Sequence, residues 1–183
     1  MLSGAAALEY PYMADAALKV LETERLILRR LIPEDAEFML GLLNEPSFIA
    51  NIGDRGVRTV EQARQLLIQG HIASYERHGY GHYLIELKDG YVPIGTCGLI
   101  YREAIGEVDV GYALLPAWWS QGYAFEAASA VMEYGRGPLG LKRIVAVVSP
   151  GNTASIRVLE KLGLRYAGPV RLAPQAETIS LFA

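Results

Sequence analysis

One stretch of the sequence has residue types that suit the binding of a phosphate group. It runs from Gly111 to Ala127 and reads GYALLPAWWSQGYAFEA. A strand is predicted to end at Pro116 and a helix to begin near Gly122, where first-turn N–H groups lack partners and the helix dipole favours an anion. Because Gly122 lets the backbone approach a ligand without a Cβ in the way, a pyrophosphate would suit this junction. An ordinary loop with a glycine in its turn has the same pattern, so the junction alone does not separate the two.

Two carboxylates just before this stretch are candidates for a general base. Glu107 and Asp109 lie two residues apart in a strand-like run, GEVDVGYALLP, so both side chains project from one face of the strand. A carboxylate at the end of a strand could remove a proton from an attacking nucleophile. The alternative is that both carboxylates simply face solvent.

The elements that would position these residues follow from hydrophobic periodicity and turn signals. The predicted order is a strand, two helices, three strands, a helix, a strand, a helix and two strands. The first helix is predicted to end at Asn44 and Pro46, Thr59 and Gln62 are predicted to form a capping box at the start of the second helix, and Asn152 is predicted to cap the last helix. This order indicates one α/β (α+β) domain over residues 21–183, with a mixed, mostly antiparallel sheet flanked by helices. Residues 1–20 are expected to form an N-terminal extension, with helical character around 15–20.

Length and composition bound the class of protein. The chain has 183 residues and a mass of 20.0 kDa, of which 51% are hydrophobic and 20% charged, as expected for one folded domain. The formal charge of −3 argues against nucleic acid and anionic lipid as partners. No apolar run approaches the roughly 18 residues of a membrane-spanning helix, and the basic region of a signal peptide is absent.

The cysteine and the histidines give little sign of metal or redox chemistry. Cys97 is the one cysteine, which fits a reducing compartment, so we expect the protein in the cytoplasm. It is predicted to pack as a buried apolar group. His71, His78 and His82 are too scattered to predict a metal site, and we expect them at the surface or in packing.

Four segments together resemble the GNAT family of N-acetyltransferases, in particular its RimJ/RimL-like branch of ribosomal-protein N-acetyltransferases. They follow in that family's order and spacing over about Leu21 to Pro169: LETERLILRRLIPEDAEFM, PIGTCGL, VDVGYALLPAWWSQGYAFEA and SPGNTASIRVLEKLGL. The resemblance implies a single GNAT-like domain with a V-shaped cofactor slot between the fourth and fifth predicted strands. It also implies acetyl-CoA as co-substrate and no metal.

The family's phosphate motif falls on Trp119, Gly122 and Ala124 of this sequence. The resemblance implies that backbone N–H groups from Gln121 through Gly122 and Tyr123 to Ala124 hold the pyrophosphate of coenzyme A. It further implies that the pantetheine arm pairs with the strand around Leu114 like an added strand. Asn152 would contact the pantetheine, although its predicted cap role uses the same side chain.

The resemblance also bears on acid and base. Asp109 occupies the position where relatives often carry an acidic residue, with Glu107 or a water chain as alternatives. Many members of the superfamily place a proton-donating tyrosine where this chain has Leu159. The branch's proposed substitute maps to Ser155, whose hydroxyl would reach the sulfur of coenzyme A, unless it bonds to the helix backbone.

The predicted function is therefore acetyl-CoA-dependent transfer of an acetyl group to a primary amine, by direct attack in a ternary complex. A protein N-terminus and a small-molecule amine are both open as acceptors, and loops 44–58 and 168–177 are expected to flank the acceptor side. The alternatives are a non-catalytic acyl-CoA binding or sensing module and a transferase with another acyl donor. Dimers are common in such folds, and the sequence shows no seam for one.

Overall fold

The computed structural model describes residues 18–183, and a five-stranded antiparallel sheet forms the larger part of it. In spatial order, which is also chain order, its strands are β1 (Lys19–Glu22), β2 (Leu26–Arg30), β3 (His82–Leu87), β4 (Pro93–Arg102) and β5 (Glu107–Leu114). Alternation of side chains along β5 turns Val108 and Val110 to one face and Asp109 and Gly111 to the other. The two faces are covered by different helices.

Four short helices connect β2 to β3. They are α1 (Ala36–Leu43), α2 (Pro46–Asn51), α3 (Val60–Leu66) and α4 (Ala73–His78), with a 3-10 turn at Pro33–Asp35 before them. Thr59 and Gln62 form a capping box at the start of α3, as predicted, and a π-helical segment, Leu67–Ile72, joins α3 to α4. Buried Met39, Ala63 and Leu67 pack these helices on β3 at Leu84.

A second, three-stranded sheet follows the helix α5 (Tyr123–Arg136). It consists of β6 (Ala146–Val148), β7 (Tyr166–Val170) and β8 (Ile179–Phe182) in the order β6-β8-β7, with α6 (Thr153–Lys161) between β6 and β7. Buried Ala127, Ala128 and Val131 of α5 join the same apolar cluster as Val108 and Val110 of β5. Burial of each Val or Leu side chain in such a cluster stabilises the fold by about 1.5–3 kcal/mol.

The fold class predicted from the sequence is confirmed: a mixed α/β domain with an antiparallel sheet and flanking helices. The fourth and fifth predicted strands are β5 and β6. One local expectation is wrong: Lys19 and Val20 are not helical but begin β1, which pairs with β2. The first helix ends at Leu43 with Asn44 as its C-cap, as predicted, and Pro46 begins a further helix, α2, that was not predicted.

The expected helix over 15–20 otherwise lies outside the described residues, and the division of the chain at residue 20 stays a prediction. Between residues 18 and 183, no helix combines the length and the apolar character needed to cross a bilayer.

Candidate active site

The two sheets meet at one point and then separate. Val110 donates its N–H to the carbonyl of Val145 at 2.8 Å, and Val145 donates to the carbonyl of Val108 at 2.9 Å. Asp109 and Val145 form a parallel bridge there. Beyond it, in the described part of the chain, β5 pairs only with β4 and β6 only with β8. A cleft therefore opens between β5 and β6 from Gly111 onward.

The β5 side of this cleft carries unpaired backbone groups. In an antiparallel strand the N–H and C=O groups of alternate residues point to opposite neighbours. Since Val110 bonds to the β6 side, Tyr112 and Leu114 also point there, where β6 is no longer within pairing distance. The indole N–H of Trp119 donates to the carbonyl of Leu114 at 2.7 Å and leaves the N–H of Leu114 free. The free edge can thus pair with an extended, amide-containing ligand.

The free edge leads to the N-terminus of α5. Gly122 is the N-cap residue, with φ of 85° in the left-handed region that favours glycine. The first hydrogen bond of this helix runs from the N–H of Glu126 to the carbonyl of Gly122. The N–H groups of Tyr123, Ala124 and Phe125 therefore have no intrahelical partner. Free N–H donors and a helix dipole suit an anion, so we call this helix start the anion site; that it holds a phosphate stays a prediction.

Arg25, in the turn between β1 and β2, braces this anion site. Its guanidinium donates to the carbonyl of Gln121 at 3.0 Å, pairs with Glu126 at 2.7 Å and lies 4.3 Å from the centre of the Tyr123 ring. A Cβ on Gly122 would lie 3.3 Å from the same guanidinium. Arg25 therefore holds the loop and offsets the charge of Glu126 beside the anion site. No local signal in the sequence points to Arg25, because Arg25 and Gln121 are 96 positions apart.

Replacing Arg25 by alanine is expected to weaken acetyl-CoA binding about 10-fold, which corresponds to about 1.4 kcal/mol. The loop loses its brace, and Glu126 is left uncompensated near the phosphates. Isothermal calorimetry of the variant measures the change, with Arg64→Ala as the control, because the side chain of Arg64 in α3 is 40% exposed and, among residues 18–183, forms an ion pair with Glu61 alone. Equal affinities for the two variants would show that the loop holds its shape without Arg25.

The structure places Asp109 and Glu107 in ion pairs. Asp109 is almost fully buried; one oxygen contacts Arg102 at 2.7 Å, and the other accepts the N–H of Val147 at 3.1 Å. The carboxylate of Asp109 thus accepts the N–H of Val147 where no carbonyl of β5 bonds to it, at the point where β5 and β6 separate. Burial raises the pKa of Asp109, against the opposite effects of Arg102 and the Val147 N–H. Glu107 pairs with Arg143 at 3.0 Å at the start of β5, before the cleft opens.

Asn152 and Ser155 lie together at the N-terminus of α6. The Oδ1 of Asn152 accepts the N–H of Ser155 at 3.1 Å, which confirms the predicted cap. Because the cap uses only this oxygen, the Nδ2 group of Asn152 can still donate to a ligand carbonyl. The hydroxyl of Ser155 has no hydrogen bond to residues 18–183, and its carbonyl accepts the phenolic O–H of Tyr112 at 3.1 Å. Leu159, at the position where a tyrosine is usual, is buried in the core.

Two histidines and two arginines lie together on the other face of β5, where residue spacing predicted no cluster. The rings of His71 and His82 stack with their centres 5.6 Å apart, and the charges of Arg55 and Arg102 act on His82. Cys97 is fully buried, as predicted, and burial raises the pKa of its thiol. The contact between His71 and His82 could not be predicted from their spacing, because the α4–β3 connection brings them together.

Acidification is expected to destabilise the protein through His71. Burial, and then repulsion from Arg55, lower the pKa of His71 to about 4. The unfolded chain binds this proton from about pH 6.5 downward and the folded chain does not, so the free energy of unfolding falls between these two values. His71→Gln should flatten this fall by about 1–3 kcal/mol in denaturant titrations at pH 7 and pH 4.5. An unchanged slope in the variant would place the loss elsewhere.

The fold and this cleft are those of an acetyltransferase. The family model described as "Acetyltransferase (GNAT) domain" matches residues 25–165, so the chain belongs to the GNAT acetyltransferase family. The family identified from the sequence motifs is confirmed. Curated relatives include the uncharacterized N-acetyltransferase YoaA of Bacillus subtilis, 35% identical over 153 residues, which are 83% of this chain and 86% of YoaA. The uncharacterized N-acetyltransferase p20 of Bacillus licheniformis is 32% identical over 84% of this chain and 86% of its own.

Solved structures agree on the fold. RimL, a ribosomal alpha-N-protein acetyltransferase in complex with coenzyme A, has a TM-score of 0.77 at 20% identity, over 90% of this chain and 96% of its own. An acetyltransferase from Agrobacterium tumefaciens has a TM-score of 0.75 at 24% identity, over 89% and 93%. At these identities the likeness concerns the fold.

Proposed function

We propose that the protein transfers the acetyl group of acetyl-CoA to a primary amine, by direct attack in a ternary complex. The observation that carries the proposal is the continuous path from the unpaired N–H groups of Tyr112 and Leu114 to the anion site at Gly122. In coenzyme A an extended pantetheine arm with two amides is joined to a pyrophosphate, so one ligand satisfies both parts of the path. The coenzyme A complex of RimL, which shares this fold, supports the same occupant.

The reacting groups follow from this placement. The N–H of Tyr112 is the first unpaired donor beyond the point where β5 and β6 separate, so it is proposed to polarise the thioester carbonyl. Leu114, Trp119, Gln121, Gly122, Tyr123, Ala124 and Asn152 are proposed to bind or shape the site for the cofactor. Ser155 is proposed to donate the proton to the leaving thiolate, because its hydroxyl has no partner among the described residues. No step requires a metal.

The sequence and the structure differ on which group takes the proton of the attacking amine. The sequence favours Asp109 or Glu107, and the ion pairs of both carboxylates in the structure favour a positioning role instead. The acceptor is a protein N-terminus or a small-molecule amine. The cytoplasm is the proposed compartment, since Cys97 is a free and buried thiol.

The test is thiol release from acetyl-CoA on the addition of peptide N-termini, amino acids, polyamines and aminoglycosides in turn, with an enzyme-only control. Release that depends on an acceptor, with the acetylated product seen by mass spectrometry, is the expected result. A non-catalytic acyl-CoA sensor is the second candidate, favoured by the buried Leu159 in place of a tyrosine. Tight binding of acetyl-CoA without release from any acceptor would support the sensor and contradict the transferase.

A further inference from the structure

One buried polar atom of the described chain lacks a partner, and it lies beside the cleft. The Nε2 atom of His82 is buried and makes no hydrogen bond with residues 18–183. Buried polar atoms in folded proteins are almost always paired, so an orphan needs an explanation. Since the ring is fixed by its neighbours, a ligand that completes the pairing is one explanation that can be tested.

The sheet register carries this atom to the head of the cleft. His82 pairs with Gly98 across β3 and β4, and Gly98 pairs with Gly111 across β4 and β5. Without a side chain on Gly98, the imidazole extends over β4, and a Cβ on Gly111 would lie 3.0 Å from Nε2. Gly111 follows Val110, which makes the final backbone bond from β5 to β6. The orphan nitrogen therefore faces the site of attack from the side opposite α5.

Two arginines and a second imidazole lie near this nitrogen. His71 stacks on His82, and Arg102 holds the Asp109 carboxylate two residues before Gly111. Arg55, in the loop between α2 and α3, makes no side-chain hydrogen bond or ion pair with residues 18–183, and partial burial and then the charge of Arg102 lower its pKa. A cavity of about 340 Å³ adjoins the two imidazoles and also touches Glu103. We call Arg55, His71, His82 and Arg102 the cation cluster, after its two guanidinium groups; the two imidazoles are neutral because their pKa values are lowered.

We propose that the cation cluster is the acceptor site, that it takes a primary amine whose molecule also carries a carboxylate, and that His82 Nε2 accepts the proton of the attacking amine. The inference rests on the proposed acetyl transfer. Arg102 is paired with Asp109, whereas Arg55 has no ion pair among residues 18–183 although its charge acts on His82, so a carboxylate supplied by the acceptor would give Arg55 a partner. An α-amino acid and an acidic peptide N-terminus share this chemistry.

The acceptor's carboxylate also affects the base. Burial, and then the charges of His71, Arg102 and Arg55, hold the pKa of His82 well below its ordinary value, so the ring is neutral and has a lone pair. The phenol of Tyr75 donates to the carbonyl of His82, which fixes the residue's backbone. A carboxylate bound between the guanidinium groups would offset their repulsion and raise the pKa of His82 toward the working pH.

The step balances with these groups. The lone pair of the amine forms the N–C bond to the thioester carbon, and the C–S bond breaks with its electrons on sulfur. One amine proton passes to Nε2 of His82, and the thiolate takes a proton from Ser155. Proton exchange with solvent restores both residues, and the products are an amide and free coenzyme A.

The first experiment compares α-amino acids with their α-carboxamides as acceptors. We expect kcat/KM to be about 10-fold higher or more for the carboxylate member, equivalent to about 1.4 kcal/mol. Arg55→Gln should remove this preference and Arg64→Gln should not. Equal rates within each pair, a preference for the amides, or a preference that survives Arg55→Gln would overturn the acceptor class.

The second experiment does not depend on finding the best acceptor. N-acetylglycine, the smallest product of this class, is titrated into the protein bound to coenzyme A while the ring nitrogens of His82 are followed by NMR. We expect the Nε2 resonance to shift with saturation. If acetyl-CoA binds normally and Nε2 does not respond, the inference fails while the proposed function stands; if acetyl-CoA does not bind, the proposed function fails.

The third experiment tests the base itself. His82→Ala should lower kcat about 100-fold with unchanged acetyl-CoA affinity, and added imidazole should restore part of the rate with a pH profile that follows the added base. Thermal unfolding and acetyl-CoA calorimetry verify that the variant is folded. A folded variant with normal kcat, or a defect that imidazole does not relieve, would show that His82 does not take the proton.

Discussion

Valine in place of Gly122 is expected to weaken acetyl-CoA binding about 30-fold or more, equivalent to about 2 kcal/mol, because the branched side chain blocks the backbone donors that face the pyrophosphate. The residue has φ of 85°, where a β-branched side chain is strained, and its Cβ would lie 3.3 Å from Arg25. Both effects act on the same loop. Isothermal calorimetry with acetyl-CoA and with the 3′-dephosphorylated cofactor measures the loss.

Gly163 provides a matched control for this substitution. It has φ of 87°, almost the same backbone conformation, and a Cβ there would meet nothing within 4 Å. It follows the last turn of α6, at the opposite end of that helix from Asn152. Gly163→Val therefore introduces a similar backbone strain at a position away from the anion site. It should lower the melting temperature and leave the affinity for acetyl-CoA unchanged. If Gly122→Val bound acetyl-CoA as tightly as Gly163→Val, the phosphate site would lie elsewhere.

Alanine in place of Asp109 is expected to cost about 3–5 kcal/mol of stability, since it breaks a buried pair and leaves Arg102 without its partner. The side chain of Asp109 is 2% exposed and that of Arg102 is 26% exposed. The substitution also frees the N–H of Val147, so the two sheets lose one of the bonds that join them where the cleft begins. Chemical denaturation measures the change.

Two further variants separate structure from chemistry at Asp109. Glu107→Gln lies on the same strand and also breaks an arginine pair, but the pair is exposed, so the expected loss is below about 1 kcal/mol. Asp109→Asn keeps an oxygen for Val147 and removes the charge. If Asp109 only positions β6, the kcat of Asp109→Asn should fall only as far as its lower stability and weaker acetyl-CoA binding account for. A much larger fall in kcat would identify Asp109 as the proton acceptor in place of His82.

Local signals were sufficient for most of the fold. Alternating apolar runs predicted β3, β4 and β5, and the capping residues Thr59 and Asn152 marked the starts of α3 and α6. The helix α2 was missed because Pro46 was interpreted only as a stop, although proline also suits the first position of a helix. The strand β1 was missed because its partner, β2, gives it most of its order.

The site divides in the same way. Gly122 follows from a local pattern, since the strand end, the glycine and the helix start are adjacent in sequence. Arg25 and His82 could not be found this way, because a turn and a three-strand register bring them to the cleft from distant positions. The contacts of Asp109 with Arg102 and Val147 could not be predicted from local sequence either, because the fold brings these residues together.

The most direct test of the cleft is an NMR titration of the isotope-labelled protein with acetyl-CoA. We expect the largest backbone amide shifts at Tyr112 and Leu114 on the edge of β5 and at residues 122–125 at the start of α5. A surface depression on α6, lined by Arg157, Glu160, Lys161 and Arg165, provides the internal comparison. Shifts centred on that depression, or no shifts at saturating acetyl-CoA, would contradict the assignment of the cleft as the cofactor site.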